Sequence, residues 1–383
     1  GTQIAGAEHE EKAYPEGMAD ISKLIIDASM CEEMNFVMQL GGVLLVRDIM
    51  LKNEGDSEIR DIKVTISSDD EIIFPCTESA PTLYEDEEWH IVQPDVRVNT
   101  SYLAFLSERT ECTIDFELTG KDRYSNLVSK SVRKTVVVMA YDQWKGNDFH
   151  TDLIPAFIMP NQPFISELVT DAAGILGKET GTSILDAYLS DDKSRIRQMA
   201  QAAYEAVTRR RISEIPYASN EEDILRRIRL AEKIRKHNRA SAYDITLIYL
   251  SCLEAMGLNP VMYLRREDAY AGVWLMDRTF EKSVMSDEIE AVQRVDSGEI
   301  LLIDCRTMLL GMECPFDESV QRAVNSVFIP DGFVAMLDIS RARREGVKSL
   351  PLRIHADSVS SPDARKRRKD KKRKKAQSGS SKM

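Results

Sequence analysis

The sequence predicts an α+β protein in two parts, a β-sandwich followed by a domain of mixed helices and strands, with a basic tail. Three observations predict it. Between about Ile21 and Ala140 the apolar residues fall in short period-two or continuous runs broken by turn-rich text, as strands do. Over residues 163–212 the apolar spacing becomes three and four, the period of a helix. At 383 residues the chain also exceeds what one hydrophobic core usually serves, so two cores are expected.

Residues 1–19 are expected to form a flexible N-terminus and residues 20–145 the sandwich. Its strands are read in "GGVLLVRDIML", "EIRDIKVTISS", "DEIIFP", "CTIDFELTG" and "KTVVVMAY", parted by "KNEGDS" and "SSDD". Short strands at regular spacing point to an immunoglobulin-like sandwich, an architecture that names no function. Residues 146–162 lie in the aromatic and proline-rich text "DQWKGNDFHTDLIPAFIMPNQPF", read as a connector that packs against both domains. The second domain, 163–354, opens on helices at "FISELVTDAAGIL" and "DKSRIRQMAQAAYEAVTRRR". The arginine-dense text that follows reads first as a solvated helix face paired with local acids, and second as a phosphate-facing or partner-facing patch. A helix at "SAYDITLIYLSCLEAMG" and strands at "PVMYLRR", "YAGVWLMD" and "EILLIDCRTML" come next, then helical text at "FDESVQRAVNSV" and "GFVAMLDISRARREG". Residues 355–383 read as a disordered basic tail.

Composition narrows the classes. Hydrophobic residues make up 43% and charged residues 30%, and no run approaches the roughly 18 apolar residues that cross a bilayer; no membrane association is expected. Six cysteines without C-x-x-C spacing fit reduced thiols in the cytoplasm. Five histidines at no metal-ligand spacing leave little to build a metal site from, and neither metal nor cofactor is expected. The start at Gly1, without the regions of a signal peptide, reads as a fragment or processed chain and not a secreted protein. The formal charge of −12 is uneven: residues 364–383 hold eleven Lys/Arg against one Asp, so they carry +10 and the remainder −22.

The helix in "RASAYDITLIYLSCLEAMGLNP" is the most informative stretch. Ser241 suits an N-cap, Asp244 the positive end of the helix dipole, Gly257 the C-terminal cap, and Pro260 forbids continuation. The helix is therefore expected from about Ala242 to Met256. Its first turn is where unsatisfied N–H groups would lower the pKa of a cysteine; Ala242 stands there.

The order of this helix, "EDAYAGVWL", "EILLIDCRTM" and "PFDESVQRA", with "LSERTECTIDFEL", "YDQWKGN" and "IPAFIMPNQPFISELVTDAAGIL" upstream and "ISRARREGVKSLPLRI" downstream, resembles the transglutaminase-like domain, a papain-related fold, near the N-terminus of large bacterial superfamily 1 helicases that carry a domain of unknown function before the motor. The likeness covers most of residues 35–354. It implies that Ala242 occupies the position of the nucleophilic cysteine and Asp244 that of the aspartate in C-x-D. It further implies Asp268 at the histidine's position, Trp274 at the tryptophan of the same strand, and Asp304 at the third, acidic position. A methyl group cannot attack a carbonyl, and a carboxylate is a poor substitute for the imidazole that shuttles the proton. Other nucleophiles are less suited: Cys252 lies deep in the helix, Cys305 follows Asp304 on the opposite face of a strand, and Cys314 has no histidine near it in sequence. His237 precedes the helix by a few residues. Asp268 and Asp304 would raise each other's pKa if they shared a cleft, or hold Mg²⁺, though two carboxylates are few ligands for such an ion.

No phosphate loop is present. "GILGKETGTS" lacks the Ser/Thr after its Gly-Lys and has the wrong glycine spacing, so no ATPase is expected within this chain. The tail cations Arg365, Lys366, Arg367, Arg368, Lys369, Lys371, Lys372, Arg373, Lys374 and Lys375 suit non-specific nucleic acid, a localisation signal or a plain charged linker. The resemblance implies a non-catalytic binding or accessory module of a bacterial helicase, acting in nucleic-acid processing or defence, whose partner is a protein chain or a neighbouring helicase domain. Two alternatives stand beside it: an active cysteine-type hydrolase or amide transferase with a displaced nucleophile, and a nucleic-acid binder working through the tail.

Overall fold

A computed structural model describes residues 23–215, 226–329 and 331–351; the tail cations lie outside them. The protein is mixed α+β and divides into two compact units, the first ending at Tyr141 and the second beginning at Asp142. Residues 146–162, expected as a connector, therefore belong to the second unit, together with 142–145 from the end expected of the sandwich, and Thr151–Phe157 form a 3-10 helix there.

The first unit contains β1 (Leu24–Met30), β2 (Glu33–Met34), α1 (Phe36–Leu40), β3 (Val46–Asn53), β4 (Arg60–Ser67), β5 (Cys76–Ala80), β6 (Glu88–Val92), α2 (Thr100–Phe105), β7 (Thr110–Lys121) and β8 (Leu127–Val138). They form a three-stranded sheet in the order β1-β3-β6 and a five-stranded sheet in the order β2-β8-β7-β4-β5. β1 lies against β7 and β8, so the sheets share an interior. Strict alternation in β7 buries Cys112, Ile114, Phe116 and Leu118, the signature of a strand with one face in a core. The run "DEIIFP" is not a strand. Glu71 is left-handed (φ 59°), which breaks the extended backbone, and Pro75 has no N–H for a ladder. Ile72 and Ile73 are buried all the same, with one bridge from Ile73 to Val98.

The second unit contains β9 (Gln143–Trp144), α3 (Pro163–Thr180), α4 (Lys193–Thr208), β10 (Ser213–Glu214), β11 (Arg226–Arg227), α5 (Ala231–His237), β12 (Arg239–Ala240), α6 (Ala242–Ala255), β13 (Pro260–Arg265), β14 (Ala269–Trp274), β15 (Val284–Met285), α7 (Glu288–Asp296), β16 (Ile300–Ile303), α8 (Phe316–Val327), β17 (Phe333–Asp338) and α9 (Ile339–Arg344). A fully antiparallel sheet runs in the order β15-β17-β13-β14-β16. α6 lies against β13 and β14 and is buried without interruption from Tyr243 to Leu253, as a helix apolar on all sides must be. The other face of the sheet carries Val261, Tyr263, Tyr270, Trp274, Leu302 and Met336, packed with Ala291 and Val295 of α7 and Ala323 and Val327 of α8.

"GFVAMLDISRARREG", expected as helix, is strand β17 followed by α9. The continuous run FVAML carries no period that separates helix from strand. Asp338 sets the switch, its side chain accepting the Arg341 N–H at 3.0 Å as the cap of α9.

At Gly272, in the middle of β14, the neighbouring strands approach too closely for a side chain. A Cβ there would lie 2.7 Å from Leu302 Cδ2, 2.8 Å from Val261 Cγ2 and 3.0 Å from the Leu301 carbonyl oxygen. Gly272→Ala is expected to lower stability by about 1–3 kcal/mol through overpacking, read as a lower urea midpoint with an unchanged slope. Among the described residues, no helix is long and apolar enough to cross a membrane.

Candidate functional site

The tip of α6 is closed by its own cap. Ser241 Oγ accepts the Asp244 N–H at 3.1 Å, and Asp244 Oδ2 accepts the Ser241 N–H at 2.9 Å, a reciprocal capping box. The other carboxylate oxygen, Oδ1, accepts the Arg229 N–H at 2.9 Å. Asp244 is buried, and burial pushes its carboxyl above the ordinary aspartate range against the pull of these hydrogen bonds. Ala242 occupies the first helical position, half-buried.

The segment that supplies the Arg229 N–H is fastened on both sides. Arg226 and Arg227 pair with Trp144 and Gln143 of β9. The Ile228 N–H donates to the Asp142 carbonyl at 2.7 Å. The fully buried Asp142 carboxylate accepts from Arg227 Nη1 at 2.9 Å and Lys233 Nζ at 2.8 Å. The Arg226 guanidinium lies 3.9 Å from the Tyr243 ring centroid and donates to the Glu267 carbonyl at 3.1 Å. Tyr243 OH donates to Asn147 Oδ1 at 2.9 Å, and Asn147 Nδ2 donates to the carbonyls of Arg265 at 2.6 Å and Asp268 at 3.2 Å. Residues 226–229 thus lie across the helix tip, joined to the β13–β14 turn through Asn147.

That network brings the backbone of Asp268 toward the tip and leaves its carboxylate elsewhere. Both carboxylate oxygens are held by Arg265, at 2.8 and 2.7 Å. The same guanidinium donates to Tyr270 OH at 3.0 Å and to the Ser326 carbonyl of α8 at 3.4 Å. Asp268 therefore faces the α8 side of the sheet, opposite to α6. Asp304 begins the 3-10 turn Cys305–Met308, its Oδ1 accepting the Arg306 N–H at 3.2 Å; it stands past the end of β16, not on the strand. Burial raises its pKa, with Asp268 adding a smaller push in the same direction. Both Asp268 oxygens are engaged by Arg265, and among the described residues no group of three or more His, Cys, Asp or Glu is placed to hold a metal ion. Trp274 is a core residue, its indole N–H donating to buried Asp338 at 3.0 Å.

The remaining candidates also have positions. Cys252 and Cys305 are fully buried; burial pushes Cys252 up to about 12 and raises Cys305 as well. Cys314 is half-buried beside Tyr204, whose OH donates to its carbonyl at 2.8 Å. His237 is exposed in the last turn of α5. "GILGKETGTS" begins within the final turns of α3, with Gly177 and Lys178 helical, so it is no phosphate loop. Asn147, Arg226 and Tyr243 were not singled out in the sequence, and no local pattern marks them, since the three meet only through tertiary packing.

No family model and no curated protein matches the chain. Among solved structures, the chain is similar to Spo0M, a sporulation control protein from Bacillus subtilis, at 11% identity and a TM-score of 0.19, over 40% of this chain and 55% of that one. The chain thus spans about half the length of that protein, and a similarity of this size defines neither fold family nor function.

Proposed function

We propose that the chain is a non-catalytic binding or accessory module, an immunoglobulin-like sandwich joined to a degenerate transglutaminase-like domain, serving the N-terminal region of a bacterial superfamily 1 helicase in nucleic-acid processing or defence. One observation carries the non-catalytic part: the helix tip that would generate a thiolate has a methyl group at its first position, and the chain's own Arg229 N–H occupies the adjacent carboxylate. Asp268, at the position of the general base, is neutralised by a two-point pair with Arg265. The two sheets of the first unit support the sandwich reading, and the capped, buried helix followed by antiparallel strands supports the second. Because residues 226–229 lie over the tip, a partner is engaged by outer surfaces and not by an extended peptide seated at α6.

Thiol reactivity tests the reading. Burial raises the pKa of Cys31, Cys76, Cys252 and Cys305, and reactivity follows the thiolate. Iodoacetamide at pH 7, followed by peptide mass spectrometry, is expected to modify every cysteine no faster than a free peptide thiol. One cysteine reacting about tenfold faster, or an acyl adduct formed from a glutamine-containing peptide, would contradict it.

A further inference from the structure

The cations where α4 and α5 end fall into two sets. Arg210 binds Asp171 at 2.7 Å, Arg235 binds Glu167 at 2.6 Å, Arg306 reaches Glu214 at 3.2 Å and Arg209 reaches Glu205 at 3.5 Å. Arg211, Lys236 and Arg239 are exposed, and their side chains make no ion pair or hydrogen bond among the described residues. These three border one residue, Asn238. Its side-chain N–H donates to the Arg211 carbonyl at 3.0 Å, and its own carbonyl accepts the Ser213 N–H at 3.0 Å. Arg239 follows it and pairs with Ser213 across β10 and β12; Lys236 precedes it in the last turn of α5.

Arg211 is also left-handed, with φ 51°. After a helix C-terminus that conformation favours glycine, so an exposed, unpaired arginine occupies a place that its backbone does not prefer. Beside it lies an open depression of about 680 Å³ lined by Thr208, Arg209, Arg211, Leu310, Gly311 and Glu313. The Glu313 carboxylate is turned onto the Gly311 N–H at 2.8 Å. Outside the tail the chain carries −22, so an uncompensated group of cations stands against the prevailing charge.

We infer that this face binds the phosphate backbone of nucleic acid. Arginine forks match phosphate oxygens in geometry as well as charge. A second basic block in the same sequence, Arg365–Lys375, suits a long polyanion better than a short acidic peptide. None of the three bordering residues is aromatic, so the contact reads charge and not bases. The inference names the partner of the binding module proposed above and rests on that reading, but it fails separately: cysteine reactivity tests the module, and nucleic-acid affinity tests this face.

The test is fluorescence anisotropy of the full chain with a short DNA duplex across a salt series. The variant carrying Arg211→Gly, Lys236→Ala and Arg239→Ala is expected to bind about tenfold or more weakly, with a log–log salt slope shallower by about 2–3. Arg211→Gly alone is expected to weaken binding without lowering the thermal midpoint, since glycine suits the left-handed backbone; a purely structural role for Arg211 would not separate the two. The same comparison with the cations of Arg365–Lys375 replaced by glutamine removes the contribution of the tail. A folded triple variant with unchanged affinity and slope in both backgrounds would overturn the inference. So would competition by poly-glutamate as strong as that of DNA at equal charge, which would assign the face to an acidic protein segment.

Discussion

Asp244→Ala is expected to destabilise the second unit by about 3 kcal/mol and to free the segment that crosses the helix tip. The carboxylate takes two backbone N–H groups, from Ser241 three residues before it and from Arg229 fifteen residues before it. Alanine leaves both without an acceptor and removes half of the capping box. Loss of a cap costs about 1 kcal/mol and an orphaned buried donor about 1–3 kcal/mol. For a unit of this size a loss of that order lowers the thermal midpoint by roughly 6–12 °C. Limited proteolysis should then cut between Arg226 and Leu230 at a rate well above that of the parent chain.

Burial holds the pKa of Asp244 above the ordinary aspartate value. The native state therefore binds this proton more tightly than the unfolded chain, and the linked stability is full below about pH 4. It is lost as the pH rises through the raised folded value. The difference in unfolding free energy between the parent chain and Asp244→Asn should accordingly narrow as the pH rises across that window.

Asp338→Ala is expected to cost more, about 4 kcal/mol. Three donors converge on this buried carboxylate: Trp274 Nε1 at 3.0 Å, the Phe280 N–H at 2.9 Å and the Arg341 N–H at 3.0 Å. One residue thereby closes β17, starts α9 and fixes the indole that packs edge-on against Phe280. Alanine strands all three donors in the buried site. Asp338→Asn keeps one oxygen and should lose about half as much. Urea denaturation followed by tryptophan fluorescence measures both, and the Trp274 component should shift to the red in the alanine variant even before unfolding.

What the sequence revealed was what is local. The cap, body and end of α6 were all readable, because Ser241, Asp244 and Gly257 act within a few residues of themselves. β17 was misread because an apolar run of five fits either period, and its partner strand β13 lies some seventy residues upstream. The short helix α7 escaped notice in the acidic text between β15 and β16. At the site, Ala242 and Asp244 were placed from sequence. The pairing of Asp268 was also within reach, since Arg265 stands three residues before it in "LRRED". The covering segment was not within reach: Arg226, Tyr243 and Asn147 are brought together from three distant stretches, and nothing in any one of them announces the others.

The closed helix tip is tested most directly by native-state hydrogen exchange at the amides of Arg229 and Ser241. Donation to a buried carboxylate predicts that both exchange as slowly as the interior of α6, with opening free energies near that of global unfolding. Exchange at these two amides as fast as in an exposed loop, while the amides from Ile248 to Leu253 stay protected, would mean that the tip stands open, contradicting the covered helix tip on which the proposed non-catalytic role rests.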